Sequence, residues 1–481
     1  MSDYATIFEG LKTRDKDRFV RFWFEIHSDV WKPYAKGGQF RRWYGNLEYV
    51  VKWGTDGSEI RAFKKSSGSN FQHFCEPTIT YSALTSYKFS CRYIDKIFFG
   101  GGGGGITNTK NIFYFLAFAN SAVFNYIINS ISPTLNFEVG QIGSQPIIIK
   151  EKELIEKIAQ DCVSLSCADW DAFETSWDFR RHPLIRPVAT VAEAFDQWKN
   201  ECAERFDRLK ANEEELNRIF IDIYGLQEEL SPEVDDKDVT VRKADLQRDI
   251  RSFVSYAVGC MFGRYSLDAP GLAYAGGPWD ASQYSAFPPV RDDIIPICDD
   301  EYFEDDMTGR FVQFVETVYG KETLEENLRF IADALGGKGA SREVIRGWFL
   351  NGFYADHLKT YQKRPVYWLF DSGKRNGFKC MIYMHRYQPD TIARIRTDYV
   401  HEQQARYRTA LADLEKRVEA ASTSERVKLS KRLAALREQA EELRLYEETI
   451  HHLADRMIAI DLDDGVKRNY EIFKDALAKI K

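Results

Sequence analysis

The sequence predicts a multidomain α+β chain: a mixed α/β region at the N-terminus, a helical spacer, a second α+β region and a terminal antiparallel helical hairpin. Three observations carry this. Residues 1–150 hold short aromatic, strand-like runs broken by turn residues, whereas 151–230 carries apolar residues at spacings of three and four. Residues 391–481 interleave charge with two leucine seams. With 481 residues, 44% of them hydrophobic, the chain is long enough for several cores and too apolar for disorder.

In the first region, 47–53, 77–82 and 87–94 read as strands, with Thr55-Asp56-Gly57 as a turn. The glycine run Gly100–Gly105 reads as a flexible loop, since glycine weakens any element interior. Residues 110–131 predict one buried helix ended by Pro133, and Pro146–Ile149 a short buried strand. In the second region, 151–161 and 191–224 predict helices; Ala194, Phe195, Trp198, Cys202, Phe206 and Leu209 open the seam of the latter, and Gly225 caps it. The third region, 231–390, predicts helices over 241–262, 301–319 and 341–357, and a hairpin whose runs PVYWLFD and FKCMIYM flank Ser372–Gly377. In the fourth, Tyr407, Leu411, Leu414 and Val418 face Leu429, Leu433, Leu436, Ala440 and Leu443 across a turn at Ser422, where Ser422 and Glu425 form a capping box.

Charge is segregated. Residues 1–150 hold 18 Lys+Arg against 12 Asp+Glu, and the remainder 48 against 61, within a net charge of −7. A basic aromatic front end on an acidic body is compatible with nucleic acid. The eight cysteines form no CxxC, so a zinc site is not expected, and scattered thiols read as reduced and cytoplasmic. No stretch approaches 18 apolar residues, so no membrane partner is expected. There is no GxxxxGK[ST], HExxH or GxSxG, and no GxGxxG between a strand and a helix. The acidic runs Glu233–Asp238 and Asp299–Asp306 lack EF-hand spacing and read as solvated loops, and the pair His451-His452, on a charged helix, reads as solvated surface. No catalytic constellation emerges.

The candidate site is therefore the basic front end. Lys36, Arg41, Arg42, Lys52, Arg61, Lys64 and Lys65 alternate with aromatics, and such side chains neutralise phosphates. Gln39, Ser69, Asn70 and Gln72 are chemically able to read base edges. Composition alone leaves open an ordinary β-rich core with a solvated rim.

Several long segments resemble the PglX-type adenine-specific DNA methyltransferases of BREX phage-defence systems. GLKTRDKDRFVRFWFE (10–25) is similar to the stretch that enters their target-recognition domain, WKPYAKGGQFRRWYGNLEYVVKWGTDG (31–57) to its opening, and NIFYFLAFANSAVFNYIINSISPTLNFEVGQIGSQPI (111–147) to its close. DWDAFETSWDF (169–179), ANEEELNRIFIDIYGL (211–226), residues 238–268 and KTYQKRPVYWLFDSGKRNGFKCMIYMHRY (359–387) resemble the C-terminal half. The family's glycine-rich S-adenosylmethionine loop and its Asn-Pro-Pro-Tyr/Phe motif are absent from the sequence. The resemblance implies that 1–150 binds duplex DNA, that 191–224 is a spacer, and that 231–481 closes around DNA or docks other BREX proteins, with Lys363 and Arg364 beside the DNA. It implies no cofactor and no activity in this chain alone, and a methyltransferase half acting as partner. A protein-interaction scaffold in a defence complex, or an active enzyme with unrecognised motifs, are the alternatives.

Overall fold

A computed structural model describes residues 1–63, 76–85, 87–107, 109–131 and 136–480, and the α+β class holds. The chain divides into two compact units.

The first unit comprises Met1–Phe24, Ser28–Phe179 and Gln197–Ala244. Its elements are β1 (Thr6–Glu9), α1 (Lys16–Phe19), β2 (Val20–Phe22), β3 (Trp31–Ala35), β4 (Tyr49–Lys52), α2 (Ser58–Ala62), β5 (Thr78–Ser82), β6 (Cys91–Ile94), β7 (Phe98–Phe99), β8 (Gly103–Thr107), α3 (Ile112–Asn120), α4 (Ala122–Ile131), α5 (Val139–Gly143), α6 (Lys152–Trp170) and most of α7 (Val191–Tyr224). They build two four-stranded sheets, ordered β1-β8-β5-β6 and β2-β4-β3-β7. The larger core lies where α3, α4, α6 and α7 pack on the first sheet, with Phe118, Phe124, Leu209 and Phe220 at its centre. A smaller core of Phe19, Tyr34, Val51 and Phe99 serves the second sheet.

The glycine run is where expectation and structure part most sharply. It does not form a loop throughout: Gly103–Gly105 lie inside β8, buried and hydrogen-bonded to β1 on one side and β5 on the other. The reason is steric. A Cβ at Gly103 would overlap the Tyr81 carbonyl oxygen, one at Gly104 would enter the Tyr81 ring, and one at Gly105 would come within 2.5 Å of the Phe99 ring. Aromatic rings lying flat over the strand replace the side chains it lacks.

Other departures also have local causes. The helix expected over 110–131 breaks at Ser121 into α3 and α4, bent by 69°. Ser121 Oγ accepts from the Phe124 amide, and Asn217 on α7 accepts from the Ala122 amide at 2.8 Å. Asn120 hydrogen-bonds both the amide and the carbonyl of Cys91, so it serves the edge of β6. Pro146–Ile149 is not a strand. Tyr224 Oη accepts from the Ile148 amide and donates to the Pro146 carbonyl, while Tyr114 Oη donates to the Ile148 carbonyl. Two tyrosine hydroxyls thus satisfy backbone that a neighbouring strand would otherwise pair. Helix α6 runs nine residues beyond the expected Asp161, burying Ile155, Ala159, Cys162, Ser166 and Asp169. Helix α7 spans the residues expected, and Gly225 takes φ +67 after it.

The second unit comprises Glu25–His27, Arg180–Asp196 and Asp245–Lys481. It holds the first turn of α7, α8 (Leu246–Phe262), β9 (Ile295–Pro296), α9 (Met307–Tyr319), α10 (Leu324–Ala334), α11 (Ser341–Asn351), α12 (Phe353–Thr360), β10 (Tyr367–Asp371), β11 (Lys379–Tyr383), α13 (Thr391–Arg394), α14 (His401–Ala420), α15 (Thr423–Ala454) and α16 (Gly465–Ile472). Strands β10 and β11 form the expected hairpin, and β9 adds a third strand. Helix α8 starts at Leu246 because Asp245 accepts from the Arg248 amide, and α9 starts at Met307 because Asp306 accepts from the Gly309 amide. Gly352 divides the helix expected over 341–357. The α14–α15 hairpin buries Tyr407, Leu414, Leu433, Leu436 and Leu443 along its seam. The acidic runs are not solvated loops throughout: Asp306 pairs with Arg346, Asp299 with Arg432, and Asp238 in the first unit with Lys88.

Two predictions follow from this packing. Gly103→Ala forces a Cβ against backbone and is expected to cost about 2 kcal/mol or more in urea unfolding, whereas Gly140→Ala, with nothing within 4 Å of its added Cβ, is near neutral. The second concerns acid. Burial, aided by Arg186 at His182 and by Arg264 at His357 and His385, holds these three buried histidines of the second unit down to about 3. The unfolded chain takes up these protons near pH 6.5 while the folded chain stays neutral, so stability falls as pH drops from about 6.5 towards 3. Each histidine contributes a slope of about 1.4 kcal/mol per pH unit, and a flat unfolding free energy between pH 6.5 and 5 would refute this.

Candidate nucleic-acid interface

Helix α1 is a single turn capped by Asp15, whose carboxylate accepts from the Arg18 amide at 3.0 Å. That turn sets Lys16 over the ring of Tyr49 on β4, 5.5 Å from its centre. Lys36, just past β3, lies 5.4 Å from the centre of the same ring. Neither ammonium has a carboxylate partner among the described residues. Burial, with the Lys16 charge adding to it, lowers the Lys36 pKa. Two like charges held at one aromatic ring make an electropositive spot that an incoming anion relieves. Sequence reasoning singled out Lys36 but missed Lys16, which sits between Asp15 and Asp17 and looks like part of a mixed-charge turn.

The remaining candidates divide by what holds them. Lys52 pairs with Glu59 at 3.0 Å, as does Arg18 at 2.8 Å, and these contacts hold the Glu59 carboxyl below its usual range. Arg61 is exposed and stacks on Trp53, 5.3 Å from the ring centre. Gln39 is exposed, and its carbonyl accepts from Asn46 at 2.9 Å. Lys64, Lys65, Ser69, Asn70 and Gln72 lie outside the described residues. Lys363 and Arg364 belong to the second unit, where Lys363 is exposed and Arg364 lies 3.9 Å from Glu25.

Arg41 and Arg42 require a correction. Each is only 8% exposed, and neither stands where a phosphate contacts the surface. Arg41 donates to Asp169 at the end of α6 at 2.8 Å and lies over Trp170. Arg42 donates to the Asp238 carbonyl at 2.6 Å, with Glu213 of α7 at 2.8 Å. Between them Trp43 is buried with φ +72, and its indole donates to Glu213 at 2.6 Å. Burial works to raise the Asp169 carboxyl, and the Arg242 and Arg41 guanidiniums outweigh it, holding the group below its usual range. At Glu213 burial wins over Arg42 and the Trp43 indole, and its pKa is raised. The expected spacer helices are therefore the counter-charge for the front end, packed on it within one unit.

No cluster of three metal-ligating side chains occurs among the described residues, and no single helix there is long and apolar enough to cross a membrane. Half of the one glycine run, Gly103–Gly105, is strand interior, and the sequence holds no Asn-Pro-Pro motif.

The chain is similar in sequence to adenine-specific methyltransferases. The chain is 44% identical over 499 residues to the adenine-specific methyltransferase PglX of Lacticaseibacillus casei (strain Zhang), covering 96% of this chain and 41% of the relative. It is 37% identical over 521 residues to the adenine-specific methyltransferase BrxX of Escherichia coli O9:H4 (strain HS), covering 98% of this chain and 43% of the relative. The chain is thus PglX-like along nearly all of itself and spans about two fifths of the length of the curated relatives it matches. No family model matches it.

The buried pairs make an asymmetric prediction. Asp169→Asn leaves Arg41 buried beside a neutral partner and is expected to cost about 3–5 kcal/mol. Glu213→Gln also leaves Arg42 beside a neutral partner, but burial already disfavours the Glu213 charge, Arg42 keeps the Asp238 carbonyl and Trp43 keeps an acceptor, so it costs less, about 2–3 kcal/mol. Urea unfolding of both variants at pH 7 checks the order.

Proposed function

We propose that this chain is the DNA-recognition portion of a PglX-like, site-specific adenine-N6 methyltransferase acting in BREX phage defence. It binds duplex DNA through its first unit and directs methylation that depends on catalytic motifs this sequence does not contain. The observation that carries the reading is the Lys16–Lys36 pair on Tyr49, two cations brought to one ring with no carboxylate partner among the described residues. The likeness to adenine-specific methyltransferases supports DNA as the polyanion. Lys32, half-buried on β3 and likewise without a carboxylate partner among the described residues, extends the patch. Arg41 and Arg42 act indirectly, by holding the sheets on α6 and α7.

The test is fluorescence anisotropy with a labelled duplex at several salt concentrations. Lys16→Glu/Lys36→Glu is expected to weaken binding roughly ten-fold or more near 0.1 M salt and to lower the salt slope by about 2, since each phosphate contact contributes about 0.9. Unfolding stability should be unchanged. Wild-type affinity in this variant sinks the placement of the DNA, and no duplex binding by the wild-type chain favours the scaffold reading.

A further inference from the structure

A second site of different construction lies within the second unit. A cavity of about 190 Å³ is lined by Trp279, Arg291, Asp292, Asp293, Arg386 and Arg394, among others. Arg386 is fixed in place. Its Nη1 donates to the carbonyls of Phe262 at 3.1 Å and Val290 at 2.8 Å, its Nη2 to that of Arg291 at 3.0 Å, and its plane lies 4.5 Å from the Trp279 ring centre. Arg291 and Arg394 have no carboxylate partner among the described residues. Asp292 is engaged by the Tyr399 hydroxyl at 2.7 Å.

Asp293 is the unusual member. It is 3% exposed and sits at φ +66, a left-handed conformation that Asp and Asn tolerate better than other side chains. Its Oδ1 accepts from the Tyr383 amide at 3.2 Å, while the buried Oδ2 has no hydrogen-bond partner among the described residues. A buried polar atom without a partner in a strained residue, beside two guanidiniums that form no ion pair among the described residues, is a poor arrangement for stability alone.

We infer that this cavity binds a phosphate group, with Arg291 and Arg394 meeting its charge and Asp293 donating a hydrogen bond to one of its oxygens. Guanidiniums match phosphate oxygens in forked pairs, and two of them balance a dianion. Burial raises the Asp293 pKa, with Arg386, the Tyr383 amide and Arg394 opposing it, which favours the protonated form that can donate. The volume exceeds that of a bare phosphate and leaves room for an ester substituent. The group can come from a free phosphate or nucleotide, or from a nucleic-acid backbone.

The experiment is isothermal titration calorimetry of the full chain with inorganic phosphate and with adenosine monophosphate, repeated in the presence of a duplex, alongside duplex anisotropy. The wild-type chain should bind phosphate or the nucleotide, and Arg291→Gln/Arg394→Gln should weaken that binding about ten-fold. Asp293→Asn, whose amide also donates, should stay within about three-fold. Binding that the duplex displaces identifies a backbone phosphate, and binding it leaves alone identifies a free ligand; either supports the site. Arg291 is exposed, so Arg291→Gln alone reads the site in a chain whose fold is intact. The proposal is overturned if neither anion binds and duplex affinity is unchanged in the double variant, or if anion binding is indifferent to Arg291→Gln. Lys16→Glu/Lys36→Glu should leave anion binding here unchanged, which keeps this result separate from that of the first unit.

Discussion

The first unit depends on two guanidiniums out of water. Burying Arg41 and Arg42 costs several kcal/mol each unless carboxylates go with them, and those carboxylates come from Asp169 on α6 and Glu213 on α7. The turn that presents the arginines is itself strained, with Trp43 at φ +72 and Asn46 at φ +57. Neither the strain nor the buried charge is tolerable without the helices, so the sheets and their connector form one cooperative body. A fragment ending near residue 150 would leave both arginines without their carboxylates and open to water the face that α6 and α7 cover.

Much of the architecture is legible in the sequence because period and capping speak locally. The bounds of α7, the β10–β11 hairpin and the seam of α14 and α15 follow from apolar spacing alone. The extent of α6 does not, because Ser166 and Asp169 occupy positions where the pattern calls for apolar residues, and Asp169 is there to meet Arg41. The start of α8 at Leu246 is visible in Asp245 once it is read as a cap. The irregular Pro146–Ile149 is not legible, since the tyrosines that satisfy it are remote in the chain.

The site is legible in part. Basic and aromatic residues alternate along 31–53, and that pattern alone does not separate cations that touch solvent from cations that hold the fold. Arg41 and Arg42 meet carboxylates more than a hundred residues away, which no local spacing reveals. Lys16 and Lys36 are brought to one ring by a strand pairing, β2 and β3 flanking β4, so their partnership belongs to the fold and not to either segment. What distinguishes the two classes is counter-charge. The lysines lack it, and the arginines carry theirs inside.

The glycine strand bears on the order of events in folding. β8 brings no side chains to drive collapse at Gly103–Gly105, and each glycine surrenders more backbone freedom than any other residue would. Its partner β1 lies about a hundred residues earlier in the chain, Phe8 facing Gly105, so closing that ladder also carries a long loop's entropy. A strand with little to gain early and much to lose is a late element. It seats itself once Tyr81 and Phe99 are already fixed by their own packing, which makes the centre of this sheet the last part of the unit to become native and the first exposed when it opens.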